Sequence, residues 1–188
     1  QCCGGFVEVF IETLNTGPQV ILFGAGHVAQ AIAEVLDGTP FRVHLVDSRQ
    51  DWLDKAPGSV MKHLDSGLDF IKSWRHWNSE KTFAAIMTFD HDLDQNLVEN
   101  LVEKEFRYLG LIGSETKWQR FQKRLLAKGL SAEKMLRVQS PMGLTIGGKT
   151  PKEVAISFAA KIIQIQNENI ARATFPEASE KDWLQELT

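Results

Sequence analysis

The segment Val20-Ile21-Leu22-Phe23-Gly24-Ala25-Gly26-His27-Val28-Ala29 constrains the chain more than any other. An apolar strand runs into a Gly-x-Gly-x-x-Ala turn, a helical pattern follows, and a second apolar stretch ends at Val46-Asp47. In this context the motif is the phosphate-binding turn of a dinucleotide-binding fold. Gly24 permits the tight turn. Gly26 lets backbone N–H groups approach a pyrophosphate, and Ala29 lets the helix sit close to the strand. His27 and Val28 open that helix, whose free N–H groups and partial positive charge favour an anion. The expected fold is α/β, a Rossmann-like doubly wound parallel sheet. Fold alone does not fix activity, because such domains host many.

The rest of the sequence alternates in the same way. The patterning predicts strands at 19–23, 41–46, 60–64, 83–89, 108–112 and 137–139. It predicts helices after Gly26, through Leu97, Val98, Leu101, Val102 and Phe106, and from Ser114 to about Leu126. Residues 51–58 read as a loop or short helix, and Leu68, Ile71, Trp74 and Trp77 as a helical piece. Strands alternating with helices imply a parallel sheet covered on both faces, in the order 3-2-1-4-5. Thr150-Pro151 opens a long final helix, with Thr150 as N-cap and Glu153 as capping-box partner. Residues 6–14 read as a strand or hairpin, and Asn15-Thr16-Gly17-Pro18 as a linker. The expected division is 1–15 as the end of a truncated N-terminal domain, 16–172 as the Rossmann-like domain and 173–188 as an acidic tail.

Bulk properties narrow the partners. With 188 residues and a net charge of −3, the chain holds one domain and has no basic field for nucleic acid. No apolar run approaches the roughly 20 residues of a membrane helix. The two cysteines are the neighbours Cys2 and Cys3. Their Cα atoms sit about 3.8 Å apart, too close for an unstrained disulfide. They read as free thiols, and the chain as cytoplasmic. The abrupt Gln1-Cys2-Cys3-Gly4-Gly5 start reads as the interior of a longer protein.

Several residues carry possible chemistry, each with a plainer alternative. Asp47 stands where an acid meets a ribose, or is a turn acid. Arg49 meets a phosphate or stacks on a base, or is a solvated loop arginine. His27 reaches the crevice, or is an exposed helix-start histidine. Asp90-His91-Asp92 flanks the topological switch point and offers acid–base or metal groups, or Asp90 or Asp92 caps the next helix. Gly113-Ser114 starts a second anion-binding turn, with Lys117, Arg120 and Arg124 on one helical face as a clamp or a solvated stripe. Residues 140–149, rich in glycine, form a loop that closes over a ligand or simply connects. Cys2 and Cys3 suit a soft metal centre but cannot complete a zinc site, or are ordinary thiols.

The motifs occur in one order: Gln1-Cys2-Cys3-Gly4-Gly5, the 23–29 turn, Val-Asp-Ser-Arg at 46–49, Thr-Phe-Asp-His-Asp at 88–92, Gly-Leu-Ile-Gly-Ser at 110–114, and Ser-Pro-Met-Gly-Leu at 140–144 ahead of Thr-Pro-Lys-Glu-Val-Ala. Over about residues 1–167 the chain resembles the xanthine dehydrogenase accessory proteins, the XdhC/CoxI family. The resemblance implies a two-domain chaperone that binds molybdenum cofactor (molybdopterin) and supports its sulfuration, with a cysteine desulfurase as partner. It implies insertion into an apo molybdenum hydroxylase of the xanthine dehydrogenase type. It places Cys2 and Cys3 against the cofactor as its metal contacts. The phosphate or a nucleotide extension would sit near Gly24, Gly26, His27, Val28 and Asp47, with Arg49, Asp90, His91, Gly113 and Ser114 around the crevice. A homodimer is compatible with the missing half. The chain departs from the family at Phe89, where a histidine is frequent, and at Lys161, where an acid is common. The Phe89 change weakens any two-histidine role for that loop. A carrier of this kind needs no catalytic base. The other readings are an NAD(P)-dependent oxidoreductase and a nucleotide-sensing regulatory module.

Overall fold

β1 (Gln19–Phe23) is buried along its whole length because it lies in mid-sheet, with parallel neighbours on both sides. The computed structural model describes residues 17–174. β1 is followed by α1 (His27–Leu36), β2 (Arg42–Asp47), α2 (Gln50–Leu53), β3 (Met61–Leu64), α3 (Leu68–Ser73) and β4 (Thr82–Ile86). Then come α4 (His91–Leu101), β5 (Tyr108–Leu111), α5 (Glu115–Ala127), α6 (Ala132–Leu136), β6 (Val138–Gln139) and α7 (Pro151–Thr174). The six strands are all parallel, in the order β3-β2-β1-β4-β5-β6. This is the Rossmann-like doubly wound sheet. Its switch point lies between β1 and β4, where successive crossovers move to opposite faces.

Strand alternation sends the two sides of each strand into two cores. Val20, Leu22, Val43, Leu45, Phe83 and Ala85 meet Ala29, Ile32 and Leu36 of α1 and Ala155, Phe158 and Ile162 of α7. Ile21, Phe23, Val46, Ala84, Ile86 and Leu109 meet Leu97, Val98 and Leu101 of α4 and Trp118, Phe121 and Leu125 of α5. Phe158 is fully buried, so Phe158→Ala would cost about 3–5 kcal/mol. The helix ends follow their caps. α5 stops in a Schellman motif at Gly129 (φ 92°), with Gly129 N–H donating to the Leu126 carbonyl and Leu130 N–H to the Leu125 carbonyl. α7 starts with the expected capping box. The Glu153 carboxylate accepts from Thr150 N–H at 2.9 Å, and the Thr150 hydroxyl accepts from Glu153 N–H at 3.3 Å.

Three elements end well before the expected residue, and one helix is additional. β4 ends at Ile86, because Thr88 turns its N–H and hydroxyl to the side chain of Asp94. α3 ends at Ser73; Trp74 turns extended and stacks on Phe70, ring centres 5.0 Å apart. α4 ends at Leu101, and Phe106 reaches the core from the following loop. α6 was not anticipated: its single turn rests on the Ser131 cap, which accepts from Lys134 N–H. Residues 1–16, and with them Cys2, Cys3 and the strand expected at 6–14, lie outside the described residues, as does most of the expected tail. No helix among the described residues is long and apolar enough to cross a membrane.

Candidate functional site

The strand ends at the switch point assemble the site. At Gly24 the backbone has φ 106°, and a Cβ there would lie 2.6 Å from the Met87 carbonyl oxygen. The turn therefore packs backbone against backbone on the end of β4, and only glycine fits. Gly26 differs. It is the N-cap of α1 at φ −68°, and a Cβ there would meet nothing within 4 Å. Its open side is where a ligand can come close to the helix start. Among the described helices of eight or more residues, α1 alone begins without a side-chain cap; Asp90 caps α4, Ser114 caps α5 and Thr150 caps α7. The first N–H groups of α1 are thus left to water or to an anion.

Asp47 ties this turn to β2. Its carboxylate is buried and accepts four hydrogen bonds: from Ala25 N–H at 2.7 Å, from Arg49 N–H at 2.9 Å, and from the Arg49 guanidinium at 2.9 and 2.7 Å. Burial pushes its pKa up, but the hydrogen bonds and charge of Arg49 and the Ala25 N–H outweigh burial and hold it below the usual range. A carboxylate has about four acceptor sites, and here all four are taken. A ribose diol at Asp47 would have to displace Arg49.

Arg49 in turn lies 4.3 Å from the centre of the Phe89 ring and 5.1 Å from that of Trp52. Trp52 meets His27 edge to face at 5.1 Å. A row of Phe89, Arg49, Trp52 and His27 therefore runs across the mouth between β4 and α1. Beneath it, Phe23, Gly24, Asp47, Gly67, Thr88 and Leu93 leave a cavity of 20 Å³, enough for about one water.

On the other side of β4, His91, Asp92, Ser114, Thr116, Lys117 and Arg120 line a hollow of 350 Å³. The structure thus brings His91 and Ser114 together. Asp90 accepts from Asp92 N–H at 2.8 Å and from Leu93 N–H, as a helix cap does. Gly113 (φ 137°) closes over the Lys117 stem, which a Cβ would meet at 2.6 Å. Lys117 departs from both readings of the basic face: its ammonium donates to Asp94 at 2.6 Å and to the Ile112 carbonyl, away from solvent. Arg124 faces Asp92 at 3.8 Å. Arg120 keeps its charge for the hollow.

Asp94, Thr88 and Phe89 were given no site role from the sequence. Asp94 is fully buried and accepts from Thr88 N–H, the Thr88 hydroxyl and Lys117. The signal lies in the spacing: it stands one turn before Leu97 and Val98 and two before Leu101, on the buried stripe of α4. Residues 140–144 of the glycine-rich loop are anchored, with Gly143 N–H donating to the buried Tyr108 hydroxyl at 3.0 Å and the Ser157 hydroxyl donating to the Leu144 carbonyl at 2.7 Å. Residues 145–149 are exposed. No group of three or more His, Cys, Asp or Glu among the described residues is placed to hold a metal ion.

The sequence profile of the XdhC Rossmann domain matches residues 20–162, well over half of the chain. The chain belongs to this family. It is 32% identical over 168 residues to the uncharacterized protein YqeB of Escherichia coli (strain K12), covering 88% of this chain and 30% of that protein. It is 29% identical over 162 residues to a probable xanthine dehydrogenase subunit of Bacillus subtilis (strain 168), covering 84% of this chain and 46% of the relative. The chain thus spans less than half the length of these relatives. A crystal structure of a xanthine dehydrogenase from Bacillus halodurans superposes with a TM-score of 0.68 at 27% identity, over 89% of this chain and 46% of that one.

Proposed function

We propose that this XdhC Rossmann domain is one half of an accessory protein that matures a xanthine dehydrogenase-type molybdenum hydroxylase, and that it carries molybdenum cofactor as cargo. The observation that carries the reading is the open, uncapped start of α1 behind Gly26, which suits the phosphate end of such a cargo. Arg120, beside His91 and Ser114, would supply a second contact for an anion. Cys2 and Cys3 would hold the metal end softly, and a cysteine desulfurase would supply sulfur. The names of the Bacillus relatives support a partner of the xanthine dehydrogenase type.

The filled Asp47 carboxylate weighs against an NAD(P)-dependent oxidoreductase, since its ribose contact is already occupied by Arg49. A carrier needs grip and release, which backbone N–H groups provide without a general base. The test is molybdenum content per full-length chain after loading with molybdenum cofactor. Near one molybdenum per chain is expected. Gly26→Val and the double variant Cys2→Ala/Cys3→Ala should each lose most of it. No molybdenum in the loaded wild type, with tight NAD binding instead, would overturn the reading.

A further inference from the structure

A second hollow lies at the opposite end of the strands from the glycine turn, and the function above does not use it. It encloses 730 Å³, within the range of small-molecule sites, and is walled by Arg42, His44, His63, Trp74, His76 and Trp77 among others. No Asp or Glu lines it, although the chain carries a net charge of −3. Imidazoles, indoles and cations dominate the wall.

The hydrogen bonding of this wall is incomplete. Buried polar atoms in folded proteins are almost always paired, and an orphan costs roughly 1–3 kcal/mol. Five buried side-chain atoms among the described residues have no partner, and three of them belong here: His44 Nε2, Trp74 Nε1 and Trp77 Nε1. The indole nitrogens are donors only. His44 Nδ1 lies 3.0 Å from His63 Nε2, so one proton is shared between the rings. When His63 supplies it, His44 Nε2 carries a hydrogen, and all three orphans are donors. Both indole nitrogens are buried as they stand, so donating to a ligand in the hollow would require the rings to rotate.

Flat rings line the same space. Trp74 meets His44 edge to face at 4.9 Å and His76 at 5.4 Å. We propose that this hollow is a ligand site for a planar aromatic molecule bearing a carboxylate or phosphate, with Arg42 pairing the anion and Trp74 and Trp77 holding the ring. The anion would answer the orphan donors, and the ring would fill space that water fills poorly. Burial, His63, Arg42 and His76 already hold His44 neutral, with its pKa near 4, and burial lowers that of His63 against the pull of Asp65. A bound anion favours protonated imidazole, so affinity should rise as pH falls from about 6.5 toward 4.

The experiment is titration of the full chain with 1-naphthyl phosphate, followed through the indole N–H signals of its five tryptophans. The signals of Trp74 and Trp77 should move while that of Trp52, at the glycine turn, stays. Inorganic phosphate at equal concentration should move them little. A parallel titration with 1-naphthoate separates carboxylate from phosphate recognition. Arg42→Ala, at an exposed strand start, should weaken binding at least about tenfold, and Trp77→Phe, which keeps a ring and removes the donor, should weaken it severalfold. Unmoved Trp74 and Trp77 signals at millimolar probe, movement of Trp52 alone, or binding indifferent to both substitutions would overturn the proposal. Each result is independent of molybdenum loading at the glycine turn.

Discussion

The fully buried carboxylate of Asp94 accepts from the ammonium of Lys117 at 2.6 Å and thereby locks α4 to α5 under the mouth of the crevice. The same carboxylate holds Thr88, so one acid fixes three neighbouring segments. Removing one partner of a buried pair leaves a charge without compensation, at about 3–5 kcal/mol. Asp94→Ala and Lys117→Met should each lower unfolding stability by that order in urea. The double variant should cost clearly less than their sum, because the two residues act as a unit.

The two glycines of the turn should respond in opposite ways. Gly24→Ala needs φ 106° from an L-residue and drives a Cβ into the Met87 carbonyl. A loss of at least about 2 kcal/mol is expected, read as a fall in Tm. Gly26→Ala meets neither obstacle and should leave Tm unchanged or slightly raised. A larger Gly26→Val should fold and still fail to hold an anion at α1. That pairing separates a residue kept for the backbone from one kept for the ligand.

Much of this architecture was legible in the sequence because its signals are local. The 19–23 strand, the glycine turn and the Thr150 cap each depend on a few adjacent residues, and all appear as expected. The errors lie where distant parts decide. β4 ends early because Thr88 prefers Asp94 to the sheet. Phe89, expected at the end of a buried strand, is 68% exposed and covers Arg49. Lys117 has the spacing of a surface stripe, and only the depth of Asp94 draws it inward. Asp47 was expected at the crevice and is there, but its occupied lone pairs could not be read from spacing.

His44 makes stability depend on pH. Its folded pKa is lowered to about 4 from 6.5, chiefly by burial and then by His63, Arg42 and His76. Between those values the unfolded chain binds the proton and the folded one does not. The stabilisation is therefore complete above pH 6.5 and is lost as pH falls toward 4, by about 3 kcal/mol. His63, also lowered, acts in the same direction. Chemical unfolding at pH 7, 5.5 and 4 should show this slope, and His44→Leu should flatten it. An unchanged slope in that variant would place the proton uptake elsewhere.

Arg49 decides whether Asp47 is ever available to a ligand. Its guanidinium takes two of the four acceptor positions on that carboxylate and lies against Phe89 and Trp52. Arg49→Ala frees those two positions, while Ala25 N–H and the backbone N–H of residue 49 continue to hold the carboxylate in place. The arginine side chain is 29% exposed, but the carboxylate is buried and would keep only its two backbone N–H bonds, so the loss should cost about 1–3 kcal/mol. Binding should change as well. Without the guanidinium, a ribose diol can donate to Asp47 and a ring can rest on Trp52. Arg49→Ala should bind ADP-ribose at least about fivefold more tightly than the wild type by calorimetry, and adding Asp47→Asn should cancel the gain. Equal affinity in all three proteins would mean that Asp47 serves the turn alone and that the crevice receives its ligand through the start of α1.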